Sequence, residues 1–205
     1  MSPVYWMCRS LSAVVLRVWC GFRIEGAQHV PPSGPFIVAA NHISYLDPPA
    51  VGASFRRQLH FIAKDDLFRM PVLGWLVTQM GAISVTLSQP DAVNTAVLKT
   101  SLRHLQRGQI VAIFPEGRRN TTGQIEPAKL GIAFMALRAG VPIVPVAVIG
   151  TDKALPPGAK MLRHHPITVR IGPPIRAAQE LSGRQAHHQL AERVTTVLKQ
   201  LYEMQ

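Results

Sequence analysis

A chain of 205 residues with 47% apolar content can bury one substantial core, and its 17 prolines are scattered rather than gathered into a linker, which argues against disorder and requires no second domain. The formal charge of +11 favours polyanions: nucleic acid, an anionic bilayer or phosphorylated metabolites. The absence of a CxxC pair, zinc-finger spacing, a basic helical arm or an RNP-like aromatic strand weighs against nucleic acid.

The first segment, Val4 to Phe22, is strongly apolar but broken by Arg9 and Arg17 and flanked by Arg23. Its uncharged runs fall short of the roughly eighteen residues that a spanning helix needs. Trp6 and Trp19 among arginines suit the headgroup layer of a bilayer. Two other readings stay open: a helix packed on the domain by its own apolar face, and a tilted spanning or cleaved segment, the latter without a small-residue cleavage site. Cys8 and Cys20 read as ordinary buried or lipid-adjacent residues, in keeping with a reducing cytosolic compartment. The expected organisation is a membrane-associating helical segment over 1–24 followed by a catalytic domain over 25–205.

Beyond it, five short apolar runs read as strands: Phe36 to Ala40 after the turn signal Pro31 to Pro35, Leu59 to Ala63, Gln109 to Phe114, Ile143 to Ile149 and Ile167 to Ile171. The first four are apolar on both faces, as strands covered by helices on each side are. Helices are predicted over Asp91 to Arg107, with Ser88 as cap, Pro90 near the first turn and Gly108 as stop, over Ala128 to Ala139, ended by Gly140, and from about Gln185 to Glu203. The alternation implies an α/β fold: a single domain with a mixed, mainly parallel sheet flanked by helices.

Two motifs sit directly after strands, where open sheets bind ligands. In Asn41-His42-Ile43-Ser44-Tyr45-Leu46-Asp47-Pro48, the Asp-Pro pair starts a helix and leaves His42 in the preceding loop, free to fold back onto Asp47. Asp47 could then fix the imidazole tautomer while the second ring nitrogen takes a proton from a substrate hydroxyl. The pattern alone also suits a capping aspartate beside a loop histidine. In Phe114-Pro115-Glu116-Gly117-Arg118-Arg119, followed by Lys129, the glycine permits close approach of a phosphate and the cations can hold it. A solvated charge run is the bland alternative.

Four blocks in order carry a family resemblance: Asn41, His42 and Asp47; Lys64-Asp65-Asp66-Leu67-Phe68 with Pro71 and Gly74; Phe114 to Gly117 with Arg119; and Val141 to Val146. From about Phe22 to Gly172 the chain resembles the 1-acylglycerol-3-phosphate acyltransferase family, the lysophosphatidate acyltransferases among the glycerolipid acyltransferases. The resemblance implies that His42 is the base activating the acceptor hydroxyl and Asp47 its orienting partner. Glu116 and Gly117 are then part of the acceptor site, with Arg119 a phosphate ligand and Lys64 near the acceptor phosphate. It further implies acyl-coenzyme A or acyl-acyl carrier protein as co-substrate, a lysophospholipid acceptor, no metal or cofactor in the chemical step, and a peripheral or monotopic seat on the cytoplasmic face of the membrane.

Two departures bear on the acceptor. Leu87 stands where the family usually has an arginine, and Arg118 where it usually has Thr or Ser. Losing a cation from a phosphate site costs about 1.5–3 kcal/mol if nothing replaces it. Either Arg118 compensates, or the acceptor is another lysolipid such as a lyso-ornithine lipid. A non-catalytic lipid-binding protein would not need His42, Asp47 and Glu116 together, and a hydrolase lacks a GxSxG elbow, with Ser44 expected to serve the turn backbone.

Overall fold

The computed structural model describes residues 2–85, 95–120, 124–176 and 183–204. Among these, seven strands form one sheet: β1 (Arg23–Glu25), β2 (Ile37–Ala40), β3 (Leu59–Lys64), β4 (Ile83–Val85), β5 (Ile110–Ile113), β6 (Ile143–Ile149) and β7 (Thr168–Ile171). Their spatial order is β1-β7-β6-β2-β5-β3-β4. All neighbours run parallel except β6 and β7. This is the mixed, mainly parallel α/β sheet that the alternation of apolar runs and helices predicts.

The helices are α1 (Pro3–Cys20), α2 (Asp47–Ser54), α3 (Asp65–Arg69), α4 (Pro71–Gln79), α5 (Thr95–Gln106), α6 (Leu130–Ala139), α7 (Thr151–Ala154) and α8 (Gly183–Glu203). They cover both faces of the sheet. Phe36, Val38 and Ala40 share one core with Leu16 of α1 and Val51 of α2. Ile37 and Ala39, pointing the other way because side chains alternate along a strand, share a second core with Ile132 of α6 and Val194 and Leu198 of α8. Burial on both faces explains why β2 and β6 read as unbroken apolar runs.

Where sequence and structure part, the cause is local. β1 and β4 have three residues each, too few for a periodicity, and β1 carries Arg23 and Glu25 at its ends. The backbone of α6 becomes helical only at Leu130, because Lys129 before it is extended (ψ 148°); the two preceding amides find partners outside the helix, Ala128 N–H donating to Thr195 Oγ1 at 2.9 Å and Lys129 N–H to Pro115 O at 2.9 Å. The predicted start of α5, with Ser88, Pro90 and Asp91, lies outside the described residues, as does Leu87.

The N-terminal helix has two apolar faces. Tyr5, Ala13, Leu16 and Cys20 are buried against the domain, whereas Met7, Leu11, Val14, Val15, Val18 and Trp19 are exposed. Arg9, read from sequence as a headgroup residue, turns inward and donates to the carbonyls of Phe55 at 2.7 Å and Ala53 at 3.4 Å, at the C-terminal end of α2. No helix among the described residues is long and apolar enough to cross a membrane. Arg23 and Ile24 pair with Thr168 and Val169, so the boundary expected between residues 24 and 25 falls inside a strand, and helix and sheet share one core.

Candidate active site

The site forms where β2 and β5, adjacent and parallel, both end. β2 delivers Asn41 and His42; β5 delivers Phe114, Pro115 and Glu116. Asn41 is fully buried and its side-chain amide pairs with the backbone of Val148 in both directions, Nδ2 donating to the carbonyl at 3.0 Å and Oδ1 accepting the N–H at 2.7 Å. The amide thus fixes the loop after β2 against the end of β6.

The loop then folds back as the sequence predicts. His42 Nδ1 lies 2.9 Å from Asp47 Oδ2. Asp47 is the first residue of α2, and its carboxylate is fully buried. Oδ2 also accepts the N–H groups of Ile43 and Ser44, each at 2.7 Å, and Oδ1 accepts the hydroxyl of Thr151 at 2.6 Å. Four donors converge on one carboxylate, which offsets its desolvation and holds it as an acceptor. His42 Nδ1 must therefore carry the proton, and Nε2 is left as the basic nitrogen. The ring stacks on Phe114 at 4.2 Å between centroids, which fixes its plane. Its side chain is 19% exposed.

Ser44 serves the turn, as expected: its hydroxyl donates to Leu155 O at 3.2 Å and accepts Leu46 N–H at 3.3 Å. No nucleophilic role is available to it in that geometry.

Glu116 is buried, and its Oε1 accepts the backbone N–H of His42 at 3.1 Å, while Oε2 has no hydrogen-bond partner among the described residues. Burial pushes its carboxyl above the usual range, only partly opposed by the hydrogen bond from His42. Gly117 has φ 76°, and a Cβ there would come within 3.0 Å of Lys129 Cε, so the lysine lies across the glycine. Arg119 stacks on Tyr45, its guanidinium carbon 3.9 Å from the ring centroid, with Nε buried and without a hydrogen-bond partner among the described residues. Arg118 is turned to Glu126, donating through Nε at 3.3 Å and Nη2 at 2.9 Å.

His42, Lys64, Gly117, Arg118, Arg119 and Lys129 all line one cavity of about 1480 Å³. That exceeds the roughly 300–1,000 Å³ of ordinary small-molecule pockets. Away from this polar end its walls are apolar, formed by side chains such as Leu73, Leu76, Val77, Ile132 and Met135, and Tyr5, Cys8, Arg9 and Ser12 of α1 close one side. Asp47 and Glu116 stand behind His42 rather than in the wall. Thr151, Phe114 as a stacking partner and Tyr45 were not singled out by sequence. A threonine directly after Gly150 at the end of the strand beside β2 was the available signal for the first.

A family model described as "Acyltransferase" matches residues 21–149. The chain belongs to the acyltransferase family. Similar proteins include a chloroplastic 1-acyl-sn-glycerol-3-phosphate acyltransferase of Brassica napus, 32% identical over 85% of this chain and 51% of its own length, and one of Bacillus subtilis, 27% identical over 85% of this chain and 84% of its own. This acyltransferase-family chain spans about half the length of the plant chloroplast relatives it matches. In fold it matches the 1-acyl-sn-glycerophosphate acyltransferase PlsC from Thermotoga maritima, with a TM-score of 0.79 at 24% identity, covering 96% of this chain and 77% of that one.

Proposed function

We propose that this acyltransferase moves a fatty acyl group from an acyl thioester, carried by coenzyme A or acyl carrier protein, to the free hydroxyl of 1-acyl-sn-glycerol 3-phosphate, giving phosphatidic acid. The observation that carries the reading is His42, locked by Nδ1 onto a fully buried carboxylate while the same ring lines a large, mainly apolar cavity rimmed by cations. The acceptor hydroxyl gives its proton to His42 Nε2 as its oxygen attacks the thioester carbonyl. The C–S bond breaks, and the imidazolium returns the proton to the leaving thiolate. Asp47 stabilises the imidazolium between these steps without taking the proton itself.

The acceptor phosphate sits among Arg119, Lys64 and Lys129, with Gly117 permitting close approach and Glu116 completing the acceptor site. Arg118 reaches the phosphate only by leaving Glu126. Hydrocarbon occupies the apolar walls. The exposed apolar face of α1 and the net charge of +11 suit an anionic membrane surface on the cytoplasmic side, on which the protein lies as a peripheral or monotopic enzyme. A metal or cofactor has no part in this scheme.

The test is His42→Ala, assayed with 1-acyl-sn-glycerol 3-phosphate and both thioester types. Loss of two to four orders of magnitude in kcat, roughly the worth of a positioned base, is expected with unchanged binding to anionic vesicles. Turnover near that of the unmodified enzyme would end the reading.

A further inference from the structure

Thr151 lies outside both motifs at the site, at the start of α7, on the strand-to-helix turn after β6. It is fully buried, as is Asp47, and its hydroxyl makes a 2.6 Å hydrogen bond to Asp47 Oδ1. The other carboxylate oxygen carries three donors, His42 Nδ1, Ile43 N–H and Ser44 N–H, all from within five residues of Asp47 in sequence. Thr151 comes from more than a hundred residues away. Its approach is fixed by the Asn41–Val148 amide clamp and by Gly150, where a φ of 85° and the carbonyl oxygen of Pro166, with which any Cβ would clash, leave no room for another residue.

We propose that Thr151 is the positioning residue of the base: its hydroxyl anchors Asp47 Oδ1, so that Oδ2 stays directed at His42 Nδ1, and it tempers how strongly the carboxylate holds the imidazolium proton. The inference rests on His42 being the base. A carboxylate spreads its charge over the donors it receives. With the hydroxyl removed, the remaining charge is less satisfied and attracts the His42 Nδ1 proton more strongly. The imidazolium is then favoured, and a base that must be neutral to act becomes available only at higher pH. A carboxylate held at one oxygen can also rotate, which misdirects the ring and lowers kcat rather than acceptor affinity.

Other ionisable groups around the pair include Glu116 from the end of β5, Asp152 of α7 and Tyr202 of α8, which feels both Asp47 and Asp152; Arg9, Lys64, Asp66, Arg118, Arg119, Lys129, His188 and Glu192 line the same cavity as His42. None is altered by a change at 151, so their fields cancel in a comparison of variants.

The experiment measures kcat/KM against pH on the full chain, with Thr151→Val, Thr151→Ala, Thr151→Ser and His42→Ala side by side. Valine and alanine should move the acid limb upward by about half to one pH unit and lower kcat at neutral pH by about tenfold or more, with acceptor KM changed less than about twofold. Serine should restore the limb. Valine and alanine variants that fold but keep the unmodified acid limb would overturn the inference, as would failure of both to fold, which would make the residue purely structural. An inactive His42→Ala beside an unmoved limb refutes the role of Thr151 alone; an active His42→Ala refutes the acyl-transfer mechanism itself.

Discussion

Glu116, at the end of β5, accepts the backbone N–H of His42, at the end of β2, through Oε1 at 3.1 Å. The return contact runs through Asn120, whose N–H donates to His42 O at 2.7 Å. The two motifs, 74 residues apart, therefore act as one structure. The loop bearing His42 is stapled at its backbone N–H and C=O by the loop bearing Arg118 and Arg119.

Glu116 gives the first prediction. Burial raises its pKa in the folded protein above the ordinary 4.5, so the folded state binds its proton more tightly than the unfolded chain. Its contribution to stability is fully present below about 4.5, the ordinary value, and is lost as pH rises through the folded value. Glu116→Gln keeps the oxygen that receives His42 N–H but does not titrate. The melting temperature of the variant, relative to the unmodified protein, should therefore climb as pH is raised from 4.5 toward neutrality; parallel melting curves across that range would contradict the assignment.

Asn41 makes a second, larger prediction. Replacing it with Ala leaves the buried N–H and C=O of Val148 without their side-chain partners. Each lost partner costs about 1–3 kcal/mol, so a destabilisation of about 2–6 kcal/mol is expected in urea. Activity should fall further than stability alone accounts for, because the clamp also registers Thr151 against Asp47. A loss below about 1 kcal/mol would show that the clamp is dispensable.

Gly117→Ala tests the proposed phosphate end. At φ 76° an alanine is strained by roughly 1–2 kcal/mol, and its Cβ would press on Lys129 Cε at 3.0 Å. The lysine must move, so acceptor KM should rise several-fold while kcat at saturation changes little. An unchanged KM would remove Lys129 from the acceptor site.

Arg118→Ser separates the two acceptor hypotheses. Arg118 is largely exposed and paired with Glu126, and the substitution should leave the melting temperature within a degree or so of the unmodified protein, as expected of surface sites. If Arg118 supplies the missing cation, activity falls chiefly on 1-acyl-sn-glycerol 3-phosphate and Glu126→Gln raises it. Equal rates on a lyso-ornithine acceptor before and after the change, with poor use of the phosphate acceptor throughout, would instead favour the other lysolipid.

Much of this was legible in the sequence because it is local. The five apolar runs became strands, and the loop before Asp47-Pro48 allowed the return of His42 onto Asp47 that the structure shows. What was not legible is what strand order creates. β6 lies beside β2 although about a hundred residues separate them, and only that neighbourhood brings Thr151 to Asp47 and Val148 to Asn41. Arg9 was misread for a related reason. A charge within an apolar stretch suggests a headgroup, but the carbonyls that receive it belong to a helix more than forty residues away.

That inward arginine changes what an N-terminal truncation would mean. The Tyr5 hydroxyl oxygen accepts the backbone N–H of Leu59 at 3.1 Å, and Tyr5 with Cys8, Arg9 and Ser12 forms part of the chamber wall. Cutting the chain after residue 20 to obtain a more soluble protein would not merely detach an anchor; it would breach the chamber, strip the end of α2 of its cation and leave the hydrocarbon of any bound lipid open to water.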